Sequence, residues 1–192
     1  MDGAPRVVLR APSVLQTAQP KAYTAPSIDF LQGTWHVTHS TLPMWKSKRN
    51  VSITYTALEP SVPSIAAGKT DRLDDLVKYQ GLDSDKEHTV HGVDKACDGS
   101  TDTWDWRGKG WLVIASSHWE VLGWGDKGVD GDVWVVTYFA KTLFTPAGID
   151  IYSRRRSGLG QGTVQEIKAA LAAIEGSEFQ GIVQGVFEVT ID

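Results

Sequence analysis

The sequence predicts an all-β fold: an eight-stranded antiparallel up-and-down barrel with one C-terminal amphipathic helix. Three observations carry this reading. Eight strand-like runs follow one another with mostly short turns between them, which describes a meander. The outermost runs are marked by Asp29-Phe30-Leu31-Gln32-Gly33-Thr34-Trp35 and Ile149-Asp150-Ile151-Tyr152-Ser153-Arg154, and pairing them removes both edges that an open meander would leave. After the last run, Val164, Ile167, Leu171 and Ile174 recur at helical spacing and form one apolar stripe to lie on the barrel wall.

Residues 1–26, rich in Ala, Pro, Ser and Thr, read as a flexible leader, and 27–192 as the barrel domain. The first strand spans about Thr34 to Thr41, with Trp35, Val37 and His39 on one face. Asn50 to Leu58 alternates most cleanly: Val51, Ile53, Tyr55 and Ala57 against Ser52, Thr54 and Thr56. A loop over 59–70 follows, then a short run from Leu73 to Tyr79 that fits either a strand or a helical turn. Gly81 to Asp85 turns the chain into a strand over His88–Lys95, and Asp98-Gly99 marks the next hairpin. Asp102–Arg107 places Trp104 and Trp106 on a shared face; Gly108-Lys109-Gly110 reverses the chain into Trp111–Gly123. The last two strands are Asp132–Thr142 and Gly148–Arg155. A helix over about 163–175 is expected to start on a capping box of Thr163 and Glu166, and Phe179 to Asp192 reads as a further strand.

At 192 residues the chain is long enough for one domain with a substantial core. A net charge of -4 lacks the basic footprint of a nucleic-acid binder, and Arg154-Arg155-Arg156 is a solvated strand end. No run approaches the ~20 apolar residues of a bilayer span, and the first residues lack the apolar stretch of a secretory signal. A single cysteine, Cys97, excludes an intramolecular disulfide and fits a reducing, cytoplasmic compartment. Eight tryptophans exceed what the dry core of a small barrel accommodates, so several are expected near a lumen or its mouth.

Gly33-Thr34-Trp35 after Asp29-Phe30, the meander, the Ile151-Tyr152-Ser153-Arg154 strand end and the helix beyond it together resemble the lipocalins within the calycin group. The resemblance covers about 29–174. It implies that Trp35 plugs the closed end of the barrel, that Arg154 packs across the indole, and that Gly33 lets the backbone approach closely. The family's Thr-Asp-Tyr-like turn before the seventh strand is absent, with a faint echo in Val136-Thr137-Tyr138, and so is the disulfide of secreted members. These departures point to an intracellular relative of the kind that accompanies enzymes making small lipophilic metabolites.

Met44 and Trp45 fall in the loop over the mouth, where they suit either a lid or a cap on the core. Tyr55, Trp104, Trp106, Trp134 and Tyr138 line a lumen if strand phase turns them inward; turned outward, they pack on a helix or an oligomer interface. His39, His118 and Glu120 are the acid–base candidates. The last two stand two apart, on one side of a strand, where the carboxylate could orient the imidazole. The alternative is that these are ordinary wall or rim residues. His88 and His91 lie on opposite faces of a strand, so no metal site is assigned, and no cofactor is expected. The glycines at 158, 160 and 162 precede a helix without the parallel context or the lysine of a phosphate loop, and read as a connector.

The leading expectation is a carrier that holds a small hydrophobic, polyketide- or terpenoid-like molecule in its lumen. The alternative is a cofactor-independent cyclase or isomerase of the pericyclase kind, acting on such a molecule in the same cavity. A third is an interaction scaffold, with a homo-oligomer among its forms.

Overall fold

The computed structural model describes residues 7–63, 65 and 69–192; the expectations for 1–6, 64 and 66–68 lie outside these. The strands are β1 (Gly33–Ser40), β2 (Lys48–Ala57), β3 (Arg72–Gly81), β4 (Glu87–Ala96), β5 (Thr103–Gly108), β6 (Ser116–Gly125), β7 (Trp134–Phe139), β8 (Gly148–Ser153) and a short β9 (Phe187–Glu188). Helices are α1 (Ile28–Leu31), α2 (Gln161–Ala172) and α3 (Ser177–Val183). From β2 to β8 each strand pairs antiparallel with the next. β1 closes the cylinder: Trp35 stands opposite Ile53 of β2, and Val37 opposite Tyr152 of β8. The run at 73–79 is therefore a strand, paired along its length with β2 and β4.

Side-chain alternation sorts the apolar residues into two layers. Inside lie Trp35, Val37, Ile53, Tyr55, Leu73, Trp104, Trp119, Val135 and Tyr152. Outside, Trp134, Val136, Tyr138, Ile149 and Ile151 pack against Ile167 and Leu171 of α2 and Phe179 of α3. The outer layer also holds Val7 and Leu9, because residues 7–11 run along β6: Arg10 N–H donates to Leu122 O at 2.7 Å. Gly123 permits this approach, since a Cβ there would stand 2.3 Å from Leu9 Cδ2.

Three sequence expectations change. The stretch 111–115, read as part of the sixth strand, is a 3₁₀ turn at Gly110–Leu112 and loop; β6 begins at Ser116. The tail begins in α3 and continues mostly as irregular chain, with only Phe187–Glu188 adding to β1 and Thr190 bridging to Arg49. α2 does not start on a Thr163–Glu166 box. Its N-terminus lies by the β6–β7 loop, where Asp130 Oδ2 accepts from Thr163 N–H at 3.1 Å and buried Asp132 Oδ2 from Gly160 N–H at 2.8 Å. These loop carboxylates act as a remote cap at the positive helix end.

At the closed end, Arg154 Cζ lies 3.5 Å from the centroid of the Trp35 ring. The guanidinium also donates to Thr34 O at 3.1 Å and Gln32 O at 2.6 Å, and to Phe30 O. Trp35 Nε1 donates back to Leu31 O at 2.8 Å. Gly33 has φ +92°, and a Cβ there would press within 3.0 Å of Arg154 Nη1. Left-handed backbone and crowding both require glycine at this corner.

Candidate functional site

Inside the aromatic layer the barrel holds carboxyl groups. Strand register sets their depth: Asp75 of β3 lies beside Tyr55, and Asp94 of β4 opposite Leu73, both toward the closed end. Asp150 of β8, opposite Ser40, lies nearer the mouth. Asp94 and Asp150 are 0 % and 1 % exposed, and Asp75 is 7 % exposed.

Their partners leave capacity unused. Asp94 Oδ1 accepts from Trp119 Nε1 at 2.7 Å, while Asp94 Oδ2, Asp75 Oδ1 and the Tyr152 hydroxyl have no hydrogen-bond partner among the described residues. Buried polar atoms are paired in the great majority of cases, so three such atoms in one interior call for an explanation. Trp119 is held parallel to Tyr55, centroids 5.6 Å apart, and to Trp104 at 5.9 Å. Near the mouth, Asp150 accepts from Ser40 Oγ at 2.5 Å and from Trp45 Nε1 at 3.3 Å.

Burial sets the protonation of this set. It pushes Asp94 up, and burial together with the Asp94 charge raises Asp75 well above the carboxylate range. Asp150 is pushed up to about 7 by burial, against the bonds from Ser40 and Trp45. The Tyr55 and Tyr152 phenols are raised well above their usual range, again by burial first. Burial therefore shifts this interior set toward its neutral O–H forms, and a protonated buried carboxyl both donates a hydrogen bond and can pass on a proton.

The residues singled out from sequence divide between the two sides of the wall. Tyr55 and Trp104 are buried inside, and Trp106 is partly buried in that same layer. Trp106 lies across Gly92, where any Cβ would stand 2.2 Å from its Nε1. Trp45 dips from the 3₁₀ turn Pro43–Ser47 into the mouth, 6 % exposed, whereas Met44 beside it is open to solvent.

Trp134 and Tyr138 do not line the lumen: they stand in the outer layer under α2 and α3, and Val135 and Thr137 take the inward phase. His39 is also outside. The β1–β8 register skips Thr38, a bulge that rotates His39 to the side of Ile151, near Lys168 and Glu188. Burial, then Lys168, lowers its basicity.

His118 and Glu120 share the outer side of β6. His118 Nδ1 is 2.8 Å from Asp105, and its Nε2 is 3.8 Å from Glu120. Glu120 is spent on the N-terminal segment, accepting from Arg10 Nη1 at 2.7 Å and Ser13 Oγ at 2.6 Å. His118 and Glu120 thus stand on the other side of the wall from the interior aspartates. Cys97, Asp105 and His118 each bring one ligand-type atom within 4.8 Å of the others, and burial, then Asp105, pushes the thiol up to about 11. His91 turns outward onto Asp74 at 2.9 Å, and His88 stacks on Tyr79 at 5.5 Å.

Sequence reasoning missed Asp75, Asp94 and Asp150. The signal available was phase: Asp75 is two residues from Leu73 and Val77, on the side of the strand that the register turns inward. Hollows of about 290 Å³ and 150 Å³ lie on the outer wall, the first beside Asn50, Lys78, Gln80 and Arg156, the second between Tyr23 and Trp124.

No family model matches the chain. It is 29% identical over 180 residues to "Botcinic acid biosynthesis cluster B protein 12" of Botryotinia fuckeliana (strain B05.10), covering 91% of this chain and 79% of that one. Among solved structures it resembles insecticyanin from the tobacco hornworm Manduca sexta, with TM-score 0.62 at 12% identity over 88% of this chain and 82% of the other. Lobster apocrustacyanin A1 gives TM-score 0.58 at 12% identity over 87% and 81%. Apocrustacyanin C1 gives 0.60 at 12% identity over 100% and 94%. With its closed eight-strand barrel, its helix packed on the outer wall and neighbours of this kind, the chain has a lipocalin-like fold.

Proposed function

We propose that the protein binds a small hydrophobic, oxygen-bearing molecule of polyketide or terpenoid type inside the barrel. The observation that carries this is the set of unpartnered polar atoms on Asp75, Asp94 and Tyr152 within an otherwise aromatic interior. Apolar burial would supply most of the affinity, at ~25 cal/mol per Å². The carboxyl and phenol groups would select a guest with a carbonyl or hydroxyl where they converge. Trp45, hydrogen-bonded to Asp150 at the mouth, serves as the plug that the guest displaces. The relative named for a biosynthesis cluster supports a place in secondary metabolism.

A second reading, a cofactor-independent cyclase or isomerase, draws on the same pair. Asp75 and Asp94 share one buried region and disfavour double ionisation, so one acts as a proton donor while the other orients the guest. In this reading the acid–base role passes from His39, His118 and Glu120 to the interior aspartates.

The test is titration of the protein with oxygenated lipophilic metabolites while tryptophan emission is followed, with product analysis of the same mixtures. Saturable quenching is expected, at least ~10-fold weaker for Asp94→Asn. Conversion that Asp94→Asn abolishes while binding persists selects the enzyme. Quenching that never saturates, or that ignores substitutions at Trp119 and Asp94, overturns both readings.

A further inference from the structure

Ten large hydrophobic side chains are exposed among the described residues, and seven of them lie at one end of the barrel. Strand order places the β1–β2, β3–β4, β5–β6 and β7–β8 loops together at the mouth. These loops carry Met44, Leu82, Trp111, Val113, Ile114, Leu143 and Phe144. The exposures are extreme at the tips: Trp111 87%, Ile114 88%, Leu143 95% and Phe144 88%. Such tips have no packing role in the barrel itself, and clustered exposure of this kind marks a surface that another phase covers.

Charge identifies the occupant. Five of the seven lie in the β5–β6 and β7–β8 loops, which are neighbours because β6 pairs with β7. From Arg107 through Ser117, and from Ala140 through Ile149, the chain contains no carboxylate, although its net charge is -4. Arg107 and Lys141 flank the apolar tips and make no ion pair among the described residues; Lys109 is held by Asp74. The facing β3–β4 loop instead carries Asp83 and Asp85 beside Lys86, with Asp85 paired to Arg49. A half-rim of indole, phenyl and branched aliphatic tips, bordered by cations and cleared of acids, has the composition of an interfacial membrane anchor.

We infer that this half of the mouth docks on an anionic lipid surface, with Trp111, Ile114, Leu143 and Phe144 in the headgroup region and Arg107 and Lys141 over the lipid charges. The acidic β3–β4 loop would then face away from the bilayer, so the barrel sits tilted with its mouth against the surface. The inference stands apart from what the lumen holds. It describes surface contact only, and no helix among the described residues is long and apolar enough to cross a membrane.

The test is co-sedimentation with phosphatidylcholine vesicles, with and without phosphatidylserine, alongside the tryptophan emission of wild type minus that of Trp111→Phe, which isolates Trp111. Binding is expected with the mixed vesicles, with a blue shift, and should weaken as salt is raised. Phe144→Asp and Lys141→Glu alter exposed tips, so their melting curves should match wild type while vesicle affinity falls about tenfold or more. Three outcomes overturn the inference. One is no binding to either vesicle. Another is equal binding by Phe144→Asp. The third is a concentration-dependent dimer that Phe144→Asp dissolves, which would assign the rim to a second copy of the chain.

Discussion

Trp119 donates its indole N–H to Asp94 at 2.7 Å inside the barrel, and it leaves the other carboxyl oxygen unengaged. A carboxyl in that position is easier to fold protonated than ionised. The same holds for Asp75 and Asp150, all three raised by burial above their value in an unfolded chain.

Their stabilising effect is therefore complete below about pH 4 and is lost as pH rises through the folded values, about 7 for Asp150. The urea midpoint should fall between pH 5 and pH 8, by roughly 1–3 kcal/mol in unfolding free energy. Asp150→Asn should flatten that slope and raise stability on its alkaline side. A midpoint that rises with pH over this window would show that these groups fold ionised.

Arg154 joins the floor of the barrel by both ring and backbone contacts with 30–35. Arg154→Ala should cost about 2–3 kcal/mol by urea denaturation, combining a cation–π contact with the lost backbone bonds. Lysine restores the charge but not the fork, so Arg154→Lys should recover less than half. Gly33→Ala should be destabilising too, through φ and through contact with the same guanidinium.

The buried Arg10–Glu120 pair fastens residues 7–13 to β6. Glu120→Ala leaves Arg10 only its 3.4 Å ion pair with Asp102 and should cost about 1–3 kcal/mol, with amide exchange rising at 7–13. Replacing both partners with apolar residues should cost far less than the single change.

Trp45 is buried at the mouth, its indole N–H donating to Asp150 at 3.3 Å. Trp45→Ala should speed association of lipophilic guests about tenfold in stopped-flow quenching, with a smaller change in affinity. An unchanged on-rate would mean that guests enter elsewhere.

Much of the barrel was legible because its strands alternate and its turns carry Gly, Asp and Pro; Val51, Ile53 and Tyr55 announce their side of β2 without outside help. Phase failed where both faces are covered. β7 reads Trp-Val-Val-Thr-Tyr-Phe, apolar on both sides, because a helical layer buries its outer face as fully as the interior buries the other. His39 escaped because one unpaired residue, Thr38, reverses the alternation, and nothing in Trp35–Ser40 marks a bulge. The interior aspartates escaped for a different reason: Asp74 and Asp75 are adjacent, and only register decides that the first meets Lys109 and His91 in solvent while the second enters the barrel.

β1 is the one strand that pairs with β2, β8 and β9, and its partners in β8 lie more than a hundred positions downstream. A nascent chain leaving the ribosome therefore carries an unfinished sheet, open at β1, until Ser153 has emerged. Closure then waits on a distant encounter, which makes this a slow-folding topology. Until then the free edge is the place where a chaperone, or a neighbouring nascent chain, would attach.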